Sequence, residues 1–295
     1  MNIGVLTVRG MDFHPNRRLA EAASRSGHSL LLIDPYLVTA AIGRNGFDCT
    51  VRGMAEKPDI ILPRQGALMG DYGLVLIRQL ERMGIPLVNG SDGVSIARHQ
   101  FHTLQILASA GLPVPETFFI TGAPQIPGAV KQLGGYPVVM KQVSGMGGEG
   151  VAMIHTADAA EHFVAHSMAD KKGALVQEYI RPADRKDIRL FVIGHQVAGA
   201  MALTPGAGEF RANIHQNGRA EAYTPDHQLE KMAVGAAKAC RLEVAGIDII
   251  VGKNRGPHLI EINYSPGFRG IEAATGKDMA SRVIQYAAAK QAVSD

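Results

Sequence analysis

Glu261 and Asn263 sit two residues apart inside the run Leu259-Ile260-Glu261-Ile262-Asn263. On a strand they point to one face. Asp248 sits in a second apolar, β-branched run, Gly246-Ile247-Asp248-Ile249-Ile250, and both runs read as buried strands. A carboxylate there is costly unless a partner neutralises it. Together Asp248, Glu261 and the Asn263 amide offer oxygen ligands and no nitrogen or sulfur. That is the donor set of Mg²⁺ or Mn²⁺, usually shared with phosphate oxygens. Asn254-Arg255-Gly256 supplies a turn that folds Asp248 back beside the other two as a hairpin. The alternative is two unrelated carboxylates near strand ends, facing solvent.

A second candidate lies upstream. Lys141 ends an apolar run and leads into Ser144-Gly145-Met146-Gly147-Gly148-Glu149-Gly150. Glycines such as Gly147 and Gly148 let backbone N–H groups approach phosphate oxygens, and the lysine adds a point charge. The lysine precedes the loop and no helix follows at once, so this is not a Walker A loop. It reads as a flap over phosphates or, failing that, as a plain hairpin turn. Three further pairings are weak singly: Gln177-Glu178-Tyr179-Ile180 at a strand end, Asp187 with Arg189 on one strand face, and Arg211 with Asn213.

The elements that must position these groups alternate strand and helix over the first third. Residues 3–8, 30–33, 59–63 and 85–88 read as strands, and 16–26 and 72–83 as helices. Such βαβ alternation implies an open, mainly parallel sheet. No G-x-G-x-x-G follows the first strand, which argues against a dinucleotide site there. Ser91 is placed to cap a helix reaching Ala110, with Gly111 as its stop. Leu112-Pro113-Val114-Pro115 then marks a boundary. Strands at 138–143, 151–154 and 174–180 with a helix at 159–167 form a smaller α+β segment. The last third is strand-rich, with helices near 226–240 and 278–289.

The chain has 295 residues, 46% hydrophobic and 19% charged, which suits a globular protein. Its formal charge of +3 comes from scattered Lys and Arg. Without a basic run or Trp, neither a nucleic-acid nor a membrane surface is expected. No apolar run matches a membrane span or a signal segment, so the expected location is the cytoplasm. Cys49 and Cys240 are far apart and expected to be reduced packing residues.

In their order along the chain these motifs resemble the RimK-like ligases of the ATP-grasp superfamily. The likeness runs from Pro63-Arg64 through Gln177-Glu178-Tyr179-Ile180, Asp187-Ile188-Arg189, Phe210-Arg211-Ala212-Asn213 and Gly246-Ile247-Asp248. It closes with Glu261-Ile262-Asn263-Tyr264-Ser265-Pro266-Gly267 and Gly270-Ile271-Glu272. The resemblance implies an α/β (α+β) ATP-grasp fold in three parts. These are an N-terminal Rossmann-like pre-ATP-grasp domain over 1–95, a helix plus small central lid over 96–180 and a C-terminal catalytic part over 181–295. It implies an ADP-forming carboxylate–amine ligase that adds L-glutamate, or another amino acid, to a protein C-terminus, a glutamate chain or a small molecule. The alternatives are a ligase acting on a small cofactor or an amino-group carrier protein, and a nucleotide-binding regulator with weak turnover. ATP and two Mg²⁺ or Mn²⁺ ions are the implied cofactors, and a homo-oligomer, dimer or tetramer, the implied assembly.

The resemblance also implies roles. Lys141 contacts ATP phosphates, with Gly147 and Gly148 in the flap. Glu178 and Tyr179 offer backbone groups to adenine, and Asp187 holds the ribose. Arg211, Ala212 and Asn213 hold the γ-phosphate and the acyl phosphate, and Asp248, Glu261 and Asn263 match the metal ligands. Arg189 is the candidate to hold a reacting carboxylate. One departure stands out: relatives carry Asp-Lys where this chain has His99-Gln100. Gln100 brings no charge to a phosphate, and Arg98, His99 or His102 are the neighbours that could compensate.

Substrate contacts are expected from Arg64, Ser265 and Gly267. Arg64 follows a predicted strand, and loops past the carboxyl ends of parallel strands face the ligand crevice. A guanidinium there suits an acidic substrate, with a surface salt bridge as the alternative. Phe268-Arg269 stands where the family tends to have an aliphatic and an acidic residue, so Arg269 is a candidate to alter acceptor choice. His162 and His166, four apart, are expected to be a solvated helix face rather than a metal pair. His215 and His258 are open between structural and substrate roles.

Overall fold

The structure is a computed structural model and describes residues 1–44, 46–51, 57–64, 69–143, 150–167, 173–206 and 219–294. The chain opens with β1 (Asn2–Leu6), α1 (His14–Arg25), β2 (Ser29–Ile33), the hairpin β3 (Val38–Gly43) and β4 (Gly46–Val51), β5 (Ile60–Pro63) and α2 (Gly70–Arg82). The apolar runs pair in parallel in the order β2-β1-β5, as the alternation requires. Residues 85–88 were expected to form a further strand. They make a single parallel bridge, Ile61 to Leu87. The β3–β4 hairpin was not anticipated.

The helix expected from Ser91 to Ala110 is two: α3 (Ser91–Ala97) and α4 (Gln100–Ser109). Gly90, not Ser91, is the N-cap of α3. The Ser91 N–H and hydroxyl both go to the Glu81 carboxylate. The break falls at His99, whose ring nitrogen accepts the His102 N–H at 3.3 Å and caps α4.

The middle of the chain contains β6 (Thr117–Ile120), α5 (Ile126–Gln132), β7 (Val138–Gln142), β8 (Val151–Ile154), α6 (Ala157–Ser167) and β9 (Ala174–Glu178). These make a four-stranded antiparallel sheet, order β6-β9-β7-β8. The last part contains β10 (Pro182–Ile193), β11 (Gln196–Thr204), β12 (Arg219–Ala222), α7 (His227–Ala239), β13 (Val244–Gly252), β14 (Gly256–Asn263), α8 (Arg269–Thr275) and α9 (Met279–Ser294). Its sheet is five-stranded, β12-β11-β10-β13-β14. None of the described helices is long and apolar enough to cross a membrane.

Burial divides the molecule differently from the sheets. One apolar cluster joins Leu6, Ile61 and Leu76 of the first part to Leu190, Ile247 and Leu259 of the last. A second joins Ile3, Val5 and Leu19 to Phe191, Phe268 and Val283. The middle sheet keeps its own cluster, including Ile120, Val138, Met140, Val164 and Val176. Each fully buried side chain of this kind contributes about 1.5–3 kcal/mol relative to exposure.

Polar contacts reinforce the seam between the first and last parts. The buried Asn89 amide donates to the Val244 and Tyr264 carbonyls at 2.7 and 2.8 Å. Its oxygen accepts the Glu243 and Val244 N–H groups. The Glu272 carboxylate accepts from the Met279 and Ala280 N–H groups at the start of α9 and from Arg18 of α1.

Candidate active site

The β13–β14 hairpin brings the proposed oxygen ligands together. Its turn closes at Gly256, whose φ of 71° is a left-handed conformation that suits glycine. Asp248 is then directly opposite Glu261, and Gly246 opposite Asn263. On the other side of β13, Arg189 of β10 is opposite Asp248. Register therefore sets Arg189, Asp248 and Glu261 in a row across three neighbouring strands, where side chains on one face meet.

The row is tightly bonded. The Arg189 guanidinium donates two hydrogen bonds to the two oxygens of Asp248, with Nε at 2.6 Å. Asp248, with Glu261 and Asp187 also near, holds the guanidinium firmly in its charged form. Glu261 reaches solvent, yet protein crowds it from the other sides. Burial and the adjacent Asp248 raise its carboxyl above the ordinary range, against the pull of Arg189 and Lys141. The Asn263 side-chain oxygen accepts the Ser265 N–H at 2.8 Å, which fixes the amide.

Lys141 approaches from the middle sheet. It lies on β7 and is 5% exposed. Burial pushes its ammonium down to about 8, while Glu261, Asp248 and Asp187 pull the other way. A cation on one sheet thus faces carboxylates on another, as needed to hold a polyanion and its metal. Among the described residues no three His, Cys, Asp or Glu converge on one point. The oxygen set is two carboxylates and an amide. Its chemistry fits a hard divalent cation, since ionised Glu261 beside Asp248 calls for further positive charge.

The four-stranded and five-stranded sheets meet at Glu178, the last residue of β9. The Glu178 carboxylate accepts the Glu116 N–H at 2.8 Å and pairs with Arg255 of the β13–β14 turn. A cavity of about 330 Å³ opens beside it, lined by Tyr179, Ile180, Arg181 and the turn residues 252–255. Sequence reasoning did not anticipate Arg255; a charge in a turn carries no signal without knowing what the turn packs against. It also missed Asn89.

Arg64 is not on the surface. It is 5% exposed, its Nη2 donates to the Pro266 carbonyl at 2.7 Å, and its guanidinium lies 5.6 Å from the centre of the Phe268 ring. The surface salt bridge is therefore excluded. Gly267 is exposed in the same loop. Gln100 lies against β14 and donates to the Ile260 carbonyl at 3.4 Å. Arg98 pairs with Asp71 at 3.0 Å, and His99 is the cap of α4.

The His162 and His166 rings lie with centroids 4.0 Å apart, tilted by 42°, and a His166 ring nitrogen bonds back to the His162 carbonyl. His258 is buried and bonded to the Gly256 carbonyl, a structural role in the turn. Cys49 and Cys240 are free thiols, and burial pushes Cys240 up to about 12. Gly147, Gly148, Arg211, Ala212, Asn213 and His215 lie outside the described residues.

Residues 97–287 match the model of the RimK-like ATP-grasp domain, and residues 1–94 that of the RimK pre-ATP-grasp domain. The chain belongs to the RimK-like ATP-grasp family. A protein of Ectopseudomonas mendocina named "Probable alpha-L-glutamate ligase" is 39% identical over 289 residues, covering 97% of this chain and 95% of its own. A protein of Shewanella amazonensis named "Probable alpha-L-glutamate ligase 1" is 38% identical over 288 residues, with the same coverage. The crystal structure of a RimK domain ATP-grasp protein from Sphaerobacter thermophilus superposes with a TM-score of 0.75 at 25% identity, covering 97% of this chain and 99% of that one. The chain is thus an ATP-grasp ligase with an N-terminal pre-ATP-grasp domain. We propose that the four-stranded sheet is its lid and the five-stranded sheet its catalytic floor.

Proposed function

We propose that this RimK-like protein is an ADP-forming ligase that adds L-glutamate, through α-linked peptide bonds, to a protein C-terminus or a glutamate chain. The observation that carries this reading is the opposition of Lys141 to the Arg189–Asp248–Glu261 row, in a chain 38–39% identical to proteins named "Probable alpha-L-glutamate ligase".

A carboxylate is a poor electrophile. The γ-phosphoryl group of ATP is transferred to a carboxylate oxygen of the acceptor, giving an acyl phosphate and ADP. The amine of the incoming amino acid attacks the carbonyl carbon. The C–N bond forms, the C–O bond to phosphate breaks, inorganic phosphate leaves and the amine loses a proton. No enzyme nucleophile is required, so catalysis is positioning plus electrostatics.

Lys141 holds the phosphates, with Gly147 and Gly148 as flap contacts. The backbone of Glu178 and Tyr179 holds adenine beside the cavity at the β13–β14 turn, and Asp187 holds the ribose. Arg211, Ala212 and Asn213 are assigned to the γ-phosphate and acyl phosphate by the family pattern alone. Asp248, Glu261 and Asn263 would hold Mg²⁺ or Mn²⁺, two ions by the family pattern. The ions, when bound, neutralise the transferring phosphoryl group. Arg189 fixes the orientation of Asp248 rather than binding a reacting carboxylate, because Asp248 engages its fork. Ser265 and Gly267 contact substrate after Asn263.

A second reading, a nucleotide-binding regulator with weak turnover, rests on Gln100. Of the three neighbours that could replace the missing lysine, Arg98 and His99 are engaged elsewhere, which leaves His102. The deciding experiment measures ADP release from Mg²⁺-ATP against a panel of single amino acids, with mass spectrometry of the products. Glutamate-dependent ADP and oligoglutamate support the ligase. ATP binding with no ADP from any amino acid or cell-extract acceptor leaves the regulator.

A further inference from the structure

Among the described residues two Arg or Lys residues are buried, Lys141 and Arg64, each 5% exposed. Their surroundings differ. Lys141 faces three carboxylates. Arg64 has no carboxylate at ion-pair distance among the described residues, its Nε is buried without a hydrogen-bond partner, and only burial acts on its charge, pushing it down to about 10. Other sheltered cations are paired: Arg189 with Asp248, Arg18 with Glu272, Lys290 with Glu243. A buried guanidinium with a spare donor and no counter-charge is costly, and an anionic ligand removes that cost.

Its position tells which ligand. The Arg64 N–H bonds the Leu6 carbonyl, so the residue prolongs β5 beside β1, at the carboxyl ends of the parallel strands. Ligands of open α/β sheets bind at that edge. Arg64 also holds the Pro266 carbonyl, three residues after Asn263. Its charge is thus tied to the loop that follows the proposed metal ligands. The first turn of α1 starts at the same Phe268 ring, with His14 6.1 Å from it, and carries no acid.

We propose that Arg64 is the specificity residue for the incoming amino acid, its guanidinium receiving a carboxylate of an acidic amino acid. This rests on the ligase reading and deepens it. The Phe268 ring and the Pro266 carbonyl hold the fork in place. A neutral or basic amino acid leaves it unpaired, which is how the site rejects them.

The test uses the full chain with Mg²⁺-ATP. Steady-state rates are measured for L-glutamate, L-glutamine and glutamate α-amide on the wild type, Arg64→Lys and Arg64→Met. Expected are a rise of about 10- to 100-fold in the KM for glutamate in Arg64→Met, a smaller rise in Arg64→Lys, and an ATP KM within about twofold of wild type. The wild type should prefer glutamate over at least one of its amides by a similar factor. Unchanged glutamate KM in Arg64→Met overturns the proposal. So does a fall in kcat alone, equal for every amino acid, which is what a mere brace for Pro266 would give. If Arg64→Met does not fold, the amide series on the wild type decides, and no preference for glutamate over either amide overturns it. If the wild type turns over with no amino acid, the ligase reading fails separately. Calorimetry of L-glutamate with a non-hydrolysable ATP analogue then decides: binding that weakens in Arg64→Lys supports the role of Arg64, and no binding to the wild type refutes it.

Discussion

The lid and the floor beneath it are held in opposite ways. The lid sheet packs on its own helices and keeps a separate apolar cluster. The floor shares two continuous clusters with the pre-ATP-grasp domain, and Asn89 stitches that seam with four hydrogen bonds. Their charges differ as well. The lid contributes one buried ammonium, Lys141, and the floor contributes Asp187, Asp248 and Glu261. Arg64 thus belongs to the part that shares its apolar clusters with the five-stranded sheet, whereas the four-stranded sheet has a cluster of its own.

The largest expected effect comes from neutralising the floor. Glu261→Gln should lower ligase turnover by about 10²–10³ or more, since it removes a metal ligand from a site that works by electrostatics. It should also stabilise the metal-free protein. Burial and Asp248 raise the Glu261 carboxyl, so its ionised form costs stability at neutral pH, a cost that vanishes as pH falls through the raised value. Glutamine removes that cost at every pH. The expected gain in melting temperature is about 2–4 °C per kcal/mol relieved. Retained turnover would sink the metal assignment.

Next in size is the seam. Asn89→Ala strands two carbonyls and two N–H groups in a buried place, at about 3 kcal/mol or more in total. Urea unfolding of the variant should show the first and last parts losing stability together. A loss below about 1 kcal/mol would mean the apolar clusters alone carry the seam, and the contrast with the lid would weaken.

Much of this was legible in the sequence, for identifiable reasons. The β13–β14 hairpin was readable because two apolar runs flank a short turn, and a period of two sets Glu261 and Asn263 on one face. The three strands of the parallel sheet were readable as short apolar runs. The break at His99 was not, because it depends on a ring nitrogen taking a backbone N–H that an intact helix would use. Nor was the bond from Arg189 to Asp248. Arg189 lies two residues from Asp187 in sequence, and only strand register brings Asp248 opposite. Arg64 suited a surface ion pair equally well until burial excluded it. What sequence lacks in each case is the partner across space.

The lid's charge gives a pH signature of intermediate size. Lys141 titrates near 8 in the folded protein, well below the usual lysine range. Above pH 8 the free protein loses this charge, and ATP must restore a proton in order to bind. Affinity for ATP should therefore fall by up to about tenfold per pH unit above 8. Lys141→Met should bind more weakly and lack that slope. The same shift predicts folding stability that rises between pH 8 and the ordinary lysine range, because there the unfolded chain holds a proton that the folded one does not. A slope unchanged in Lys141→Met would assign the titration to another group.

The smallest effect tests the contact between the two sheets. Arg255 joins the lid to the floor through Glu178, yet its side chain is 57% exposed. Exposed pairs contribute about 0.2–1 kcal/mol. Arg255→Ala should therefore leave unfolding of the seam unchanged and shift ATP affinity by less than about fivefold, measured by titration with a non-hydrolysable analogue. A loss beyond about 100-fold would be too large for an exposed pair. It would place Arg255 on the nucleotide and make the turn part of the binding site rather than a contact between sheets. A small shift keeps the contrast intact, with an exposed pair between the four-stranded sheet and the β13–β14 turn on one side and two shared apolar clusters on the other.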